Sequence, residues 1–172
     1  MMRLLIMSAV TALVLGLSVQ QASAVDLTAA VGRTEKSTTT LRIGLQKNFQ
    51  SRWWQSDVGA LTGYWDAGYT FWKGNKTSDN HSLSISPVLV YEFNADVFKP
   101  YVEAGVGVSL FENTRIESRR LGSSFQFEDR LGFGLRLYNQ ALGLRVTHYS
   151  NGSLKSPNDG IEVYSLHYRM AL

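Results

Sequence analysis

The sequence predicts an all-β fold, an eight-stranded antiparallel transmembrane β-barrel that forms after a cleaved signal peptide is removed. Three observations point there. No segment beyond the first two dozen residues is apolar enough for a membrane helix, yet 12% of the 172 residues are aromatic and 15 are glycine. Apolar side chains recur at every second position, which is the period of a strand with one oily face and one polar or small face. Polar, turn-forming stretches separate the alternating segments.

The N-terminal segment comes first. Arg3 is the only charge before Asp26, the run Leu4 to Leu15 is largely apolar, and Ala22-Ser23-Ala24 supplies small residues of the kind a signal peptidase accepts. Residues 1–24 therefore read as a signal peptide and 25–172 as one barrel domain. The apolar run is short for a bilayer-spanning helix, which needs about 20 residues. Cleavage removes Arg3 and no acid, taking the formal charge from +3 to +2. Without a dense Lys/Arg run, nothing argues for a nucleic-acid partner. Cysteine is absent, so neither disulfides nor thiol chemistry is available to this exported chain.

The strands are expected, in order, at 25–33, 38–49, 53–72, 81–94, 99–112, 124–138, 141–150 and 161–172. The first carries Gly32 within its alternation. The second contains Leu41, Ile43 and Leu45 against Arg42, Gly44 and Gln46. In the third, Tyr64, Asp66 and Thr70 share parity, and the fourth ends in Tyr91 and Phe93. The fifth sets Val102, Ala104, Val106, Val108 and Leu110 against Glu103, Gly105, Gly107 and Ser109. The sixth sets Leu131, Phe133, Leu135 and Leu137 against Arg130, Gly132, Gly134 and Arg136. On the seventh, Leu142, Leu144 and Val146 share a face with His148 and Ser150; on the eighth, Tyr164, Leu166, Tyr168 and Met170 share a face with Glu162. Turns fall at Asn75–Asp79, Asn94–Asp96, Glu117–Arg120 and Asn139-Gln140.

A lipocalin-like barrel and a β-sandwich share this alternation but put the oily face inside. The polar face discriminates. If Arg42, Gln46, Glu103, Glu128, Arg130, Arg136 and Arg145 point inward, they form a paired lumenal network as in small outer-membrane barrels. Aromatics at expected strand ends, including Trp53, Trp54, Trp72, Tyr91, Phe93 and Tyr101, favour the membrane case, because Trp and Tyr settle at bilayer interfaces. Glycines at 32, 44, 105, 107, 132 and 134 lie within strands and relieve crowding in a narrow barrel rather than forming a phosphate loop.

Parity also locates candidate chemistry. His148, Ser150 and Glu162 continue the oily face of two strands joined by the connection Asn151 to Gly160. Cross-strand neighbours on one face lie about 4.5–5.5 Å apart at Cβ, so contact is feasible. A polar trio facing outward near the membrane surface matches the depth of a lipid ester. Ser150 would attack an acyl carbonyl, His148 would carry the proton, and Glu162 would orient the imidazole. Oxyanion donors would come from the Asn151-Gly152-Ser153 backbone or from the amides of Asn151 and Asn158. A His-x-Ser pattern also arises by chance, and a carboxylate at a strand end is usually solvated. The trio alone therefore leaves a structural or adhesive barrel open as the alternative.

Longer stretches add to this. Leu61–Thr70, His81–Ser84, Pro87–Phe93, Gly122–Ser124, Phe127–Arg130, His148–Asn151 and Pro157–Glu162 resemble the PagL family of outer-membrane lipid A 3-O-deacylases, and the resemblance covers essentially the whole mature chain. It implies a multi-pass protein of the bacterial outer membrane that removes the ester-linked 3-hydroxyacyl chain from position 3 of lipid A. No metal or other cofactor is implied; lipopolysaccharide is the substrate, and the partners are outer-membrane lipids. By that resemblance His148, Ser150 and Glu162 are the catalytic residues, Asn158 is an oxyanion donor or orienting group, and Phe127 and Asp129 occupy further family positions. A homodimer is also compatible with the family, although no seam in the chain marks one. A lipid A palmitoyltransferase would share membrane and substrate but transfer the acyl chain. His81 and His167 read as rim or interior hydrogen-bonding residues, Asp66 as an inward network residue, and Lys155 as a solvated loop charge. The three histidines lack a metal-ligand spacing.

Overall fold

A computed structural model describes residues 25–172 of the protein; the expected signal peptide, residues 1–24, lies outside them. Eight strands close a barrel: β1 (Val25–Thr34), β2 (Thr39–Asn48), β3 (Gly59–Trp72), β4 (Asn80–Phe93), β5 (Lys99–Phe111), β8 (Phe125–Leu137), β9 (Gln140–Ser150) and β10 (Ile161–Met170). Every pairing is antiparallel between chain neighbours, and β1 closes on β10. Closure removes the open edge that hydrocarbon cannot solvate, where each unpaired backbone group costs several kcal/mol. In the connection from β5 to β8 a small hairpin, β6 (Arg115–Ile116) and β7 (Arg119–Arg120), stands apart from the barrel sheet.

The strands are tilted. The ladder that leaves the last residue of β1, Thr34, passes through Val163, Thr147, Arg130, Gly105 and Val88. It goes on through Tyr64 to Asn48, the last residue of β2, at the opposite end of the barrel. Such a stagger is what strands inclined by about 35–45° require.

Alternation resolves into inside and outside as the membrane reading expects. Leu41, Ile43, Leu45, Val102, Val106, Leu131, Phe133, Leu142 and Leu144 lie on the outer wall, each about half or more exposed. Gln46, Asp66, Glu103, Glu128, Arg130 and Arg145 are buried in the lumen. There Arg130 pairs with Asp66 at 3.1 Å and with Glu128, Arg42 pairs with Asp66, and Arg145 holds Glu103 at 2.7 Å while Tyr64 donates to the same carboxylate at 2.6 Å. A lipocalin would reverse this distribution. Glycine makes room for the network: at Gly107 a Cβ would stand 2.0 Å from Ser86 Oγ.

Two expectations are corrected. The third strand begins at Gly59 rather than at 53. Trp54 takes a left-handed φ of 47° and the Ser56 hydroxyl accepts the Gly59 N–H at 3.3 Å, so residues 53–58 turn, and Trp53 keeps only one bridge, to Leu61. The aromatic supply divides as well. Trp53 and Trp54 are exposed, but Trp72 and Tyr101 point inward, and Trp72 packs on Phe111 and Tyr149 with its indole N–H on Ser82 Oγ at 2.9 Å. Strand-end aromatics therefore plug the barrel mouth as well as girdling its wall.

Candidate active site

The connection from β9 to β10 lies at the barrel end that also carries the turns 35–38 and 73–79 and the β6–β7 hairpin; the start of β1 and the end of β10 lie at the other. His148 on β9 stands directly opposite Glu162 on β10. Both side chains are roughly one-third exposed on the outer wall, and His148 Nδ1 lies 2.8 Å from Glu162 Oε1. Engagement of Nδ1 leaves Nε2 free to exchange a proton with a substrate-side group.

Ser150 lies two residues along the same face as the last residue of β9, opposite Phe127. Its hydroxyl makes no hydrogen bond to His148 here; such bonds often tighten only when substrate is held. On the other flank, Asp129 of β8 is in register with His148 and exposed. His148 therefore stands between two outward carboxylates, of which Glu162 makes the contact.

The loop is shaped around this wall. Gly160 has φ +62°, and a Cβ there would come 3.0 Å from His148 Cε1. Gly152, at φ +61°, would place a Cβ 2.9 Å from the Phe127 ring. Both positions need glycine for backbone reasons as well as space.

Asn151 departs from the expected donor role. It is fully buried, its side-chain amide donates to Leu121 O at 2.8 Å and Lys155 O at 2.7 Å, and its backbone N–H donates to Asn158 Oδ1 at 3.0 Å. Its donors fix the loop and are unavailable to an oxyanion. Among the described residues, neither the Asn158 NH₂ group nor the Gly152 N–H donates to another protein atom. Parity could not reveal this, because the acceptors lie in loops: Leu121 O in a distant one, Lys155 O and Asn158 Oδ1 in the connection that follows Asn151 itself.

The remaining singled-out residues lie elsewhere. His81 sits on the outer rim of β4, with Nδ1 2.6 Å from the Tyr69 hydroxyl. His167 is buried in the lumen, but neither ring nitrogen has a hydrogen-bond partner among the described residues, contrary to the bonded role expected of it. Asp66 belongs to the lumenal network, and the Lys155 side chain is exposed. No group of three or more His, Cys, Asp or Glu among the described residues is placed to hold a metal ion.

Comparison with known proteins gives the family of the chain. The profile of the lipid A 3-O-deacylase (PagL) family matches residues 39–171. The chain is similar to the lipid A deacylase PagL of Pseudomonas aeruginosa, at 50% identity over 99% of this chain and 100% of the relative. It is also similar to that of Bordetella bronchiseptica, at 32% identity over 70% of this chain and 65% of the relative. A crystal structure of the outer membrane enzyme PagL superposes with a TM-score of 0.83 at 53% identity, covering 86% of this chain and 99% of that one. A de novo designed transmembrane β-barrel, 15% identical with a TM-score of 0.56 over 89% of this chain and 98% of its own, shares the fold alone. The family match over residues 39–171, with a lipid A deacylase 50% identical over 99% of the chain, identifies the chain as a member of the PagL family of outer-membrane lipid A 3-O-deacylases.

Proposed function

We propose that the protein hydrolyses the ester-linked 3-hydroxyacyl chain at position 3 of lipid A in the outer membrane, using Ser150 as nucleophile, His148 as acid–base and Glu162 as the orienting carboxylate. The observation that carries the reading is the 2.8 Å His148–Glu162 contact on the lipid-facing wall, with Ser150 two residues along the same face. Ser150 Oγ attacks the acyl carbonyl as His148 Nε2 takes its proton. Collapse of the tetrahedral adduct expels the sugar alkoxide, which receives that proton. Water, deprotonated by His148, then cleaves the acyl-serine to release a 3-hydroxy fatty acid. Glu162, held on Nδ1, fixes the tautomer and stabilises the imidazolium. The uncommitted Gly152 N–H and Asn158 amide are the donors that meet the oxyanion, each such donor being worth about 2.7–4 kcal/mol. Residues 1–24 direct export and are removed, leaving 25–172 as the catalytic barrel.

The test is mass spectrometry of lipid A from cells expressing the wild-type chain or Ser150→Ala, with heat-modifiable gel mobility confirming that both barrels fold. Loss of one 3-hydroxyacyl group with the wild type alone is expected. Unchanged lipid A with a folded wild-type barrel, or full activity in folded Ser150→Ala, overturns the mechanism. Transfer of the acyl chain to another lipid would mark a transferase instead.

A further inference from the structure

Arg33 is an anomaly on the outer wall. Leu27, Ala29 and Val31 precede it on the same outward face of β1, as expected for a surface that meets lipid tails, and then an exposed arginine follows. A lipid-facing Arg costs about 2–4 kcal/mol at the bilayer midplane and about 0–1 near the interface. Its place one residue before the loop end of β1 therefore makes it tolerable but does not explain it. No ion pair neutralises it among the described residues. Glu35, the nearest carboxylate in sequence, is taken by Arg119, and Glu162 by His148. The outward Lys47 lies toward the opposite end of the barrel, as does Lys99, which shares parity with the inward Tyr101 and Glu103.

Register fixes where this free cation stands. Arg33 is paired with Tyr164, Tyr164 with Val146, and one step along the same outward face Glu162 is paired with His148. Two strand spacings across and two residues along put the Arg33 and His148 backbones roughly 12 Å apart. Because the strands tilt, the step across toward β1 climbs toward the loops while the step along β1 descends. The two nearly cancel, leaving Arg33 at the depth of the site and to its side. An extended Arg side chain shortens that gap to the width of a sugar ring.

We infer that Arg33, with the exposed Tyr164 hydroxyl beside it, is a phosphate-binding subsite for the headgroup of the lipid being deacylated. The inference rests on the function proposed above. The glucosamine that carries the scissile ester also carries the anomeric phosphate. A phosphomonoester is the ligand whose charge and oxygen geometry a guanidinium matches in two parallel hydrogen bonds. Binding there fixes the ring laterally and presents the ester to Ser150, and it supplies the countercharge that Arg33 lacks.

The test compares bisphosphorylated lipid A with lipid A lacking the anomeric phosphate, using the folded barrel in mixed micelles and the variants Arg33→Gln and Lys47→Gln. The wild type and Lys47→Gln are expected to show a KM about tenfold lower for the phosphorylated lipid. Arg33→Gln is expected to lose that preference by raising KM for the phosphorylated lipid alone, with kcat unchanged. Equal KM values in the wild type, or a preference that survives in Arg33→Gln, overturn the subsite. Binding of the same two lipids to Ser150→Ala barrels, read by native mass spectrometry, makes the comparison without turnover. Absence of turnover in the wild type thus counts against the function alone, and absence of an Arg33-dependent binding preference against the subsite alone. Inorganic phosphate is the last probe: if it abolishes the preference at concentrations comparable to the lipid's KM, the subsite is one for free anions and the headgroup assignment fails.

Discussion

In the proposed mechanism each side chain at the site has a separable job, and substitution tests it. Glu162→Gln keeps the shape and an acceptor oxygen for His148 Nδ1 but removes the charge proposed to stabilise the imidazolium. Activity should fall by at least about 10²-fold with barrel folding intact; a variant within twofold of wild type in a lipid A release assay would rule out an electrostatic role. Gly160→Ala is a different kind of change. It forces a Cβ into a left-handed backbone and to 3.0 Å from His148 Cε1, so the ring must shift. A fall of about 10–100-fold in kcat with little change in KM is expected, whereas unchanged kcat would mean the loop gives way instead. The outward placement of His148, Ser150 and Glu162 was legible in the sequence because a strand's period of two dictates it. The commitment of Asn151 was not, since its acceptors, Leu121 O and Lys155 O, belong to loops whose approach no periodicity encodes.

At the scale of elements, the β6–β7 hairpin ties the loop end together. Arg120 N–H donates to Asp159 Oδ2 at 2.8 Å and Asp159 N–H returns to Arg120 O at 3.1 Å, so the loop that follows Ser150 is gripped at residues adjacent to Leu121 and Asn158, two of Asn151's partners. On its other side the hairpin offers Glu117, whose carboxylate accepts the Asn75 N–H at 2.6 Å and the Lys76 N–H at 3.0 Å. Those backbone bonds, led by that from Asn75, hold the Glu117 carboxyl below its ordinary value. A depressed carboxylate contributes its stabilisation above the unfolded-state pKa and loses it as pH falls through the lower folded value. Acidification through that window should therefore lower the protection of the Asn75 and Lys76 amides, measured as exchange relative to the intrinsic rate at each pH. In Glu117→Gln that protection should already be low at neutral pH and change no further with acid. Protection that stays constant across the window in the wild type would remove Glu117 from the clamp. The eight barrel strands were readable from alternation, but this hairpin was not: strands of two residues are too short to carry a period, and Glu117 to Arg120 read only as a polar turn.

Across the whole molecule, the barrel replaces an oily core with charge. Arg42, Arg130, Arg136, Arg145 and Arg169 face Asp26, Asp66, Glu92, Glu103 and Glu128 in the lumen, and the apolar side chains that would fill a soluble core are turned out to the lipid. Buried ion pairs of this kind are weak evidence of stability in themselves, because desolvation offsets much of their attraction. Breaking one is another matter. Arg130→Leu would strand Glu128 and leave Asp66 with Arg42 as its one cation, and a loss of about 3–5 kcal/mol is expected, read as a lower urea midpoint for the heat-modifiable band of barrels folded in vesicles. Replacing Arg145 and Glu103 together by Leu removes a pair without orphaning either charge, although Tyr64 loses its acceptor. The double variant should therefore be more stable than either single replacement. If the double loss equals the sum of the singles, the charges act independently and the lumen is held by packing alone. If it is smaller, the lumen is held by mutual neutralisation, and the near balance of cations and carboxylates that alternation placed on the inner face is what lets an outward-facing oily wall, and the site mounted on it, exist in one stable form.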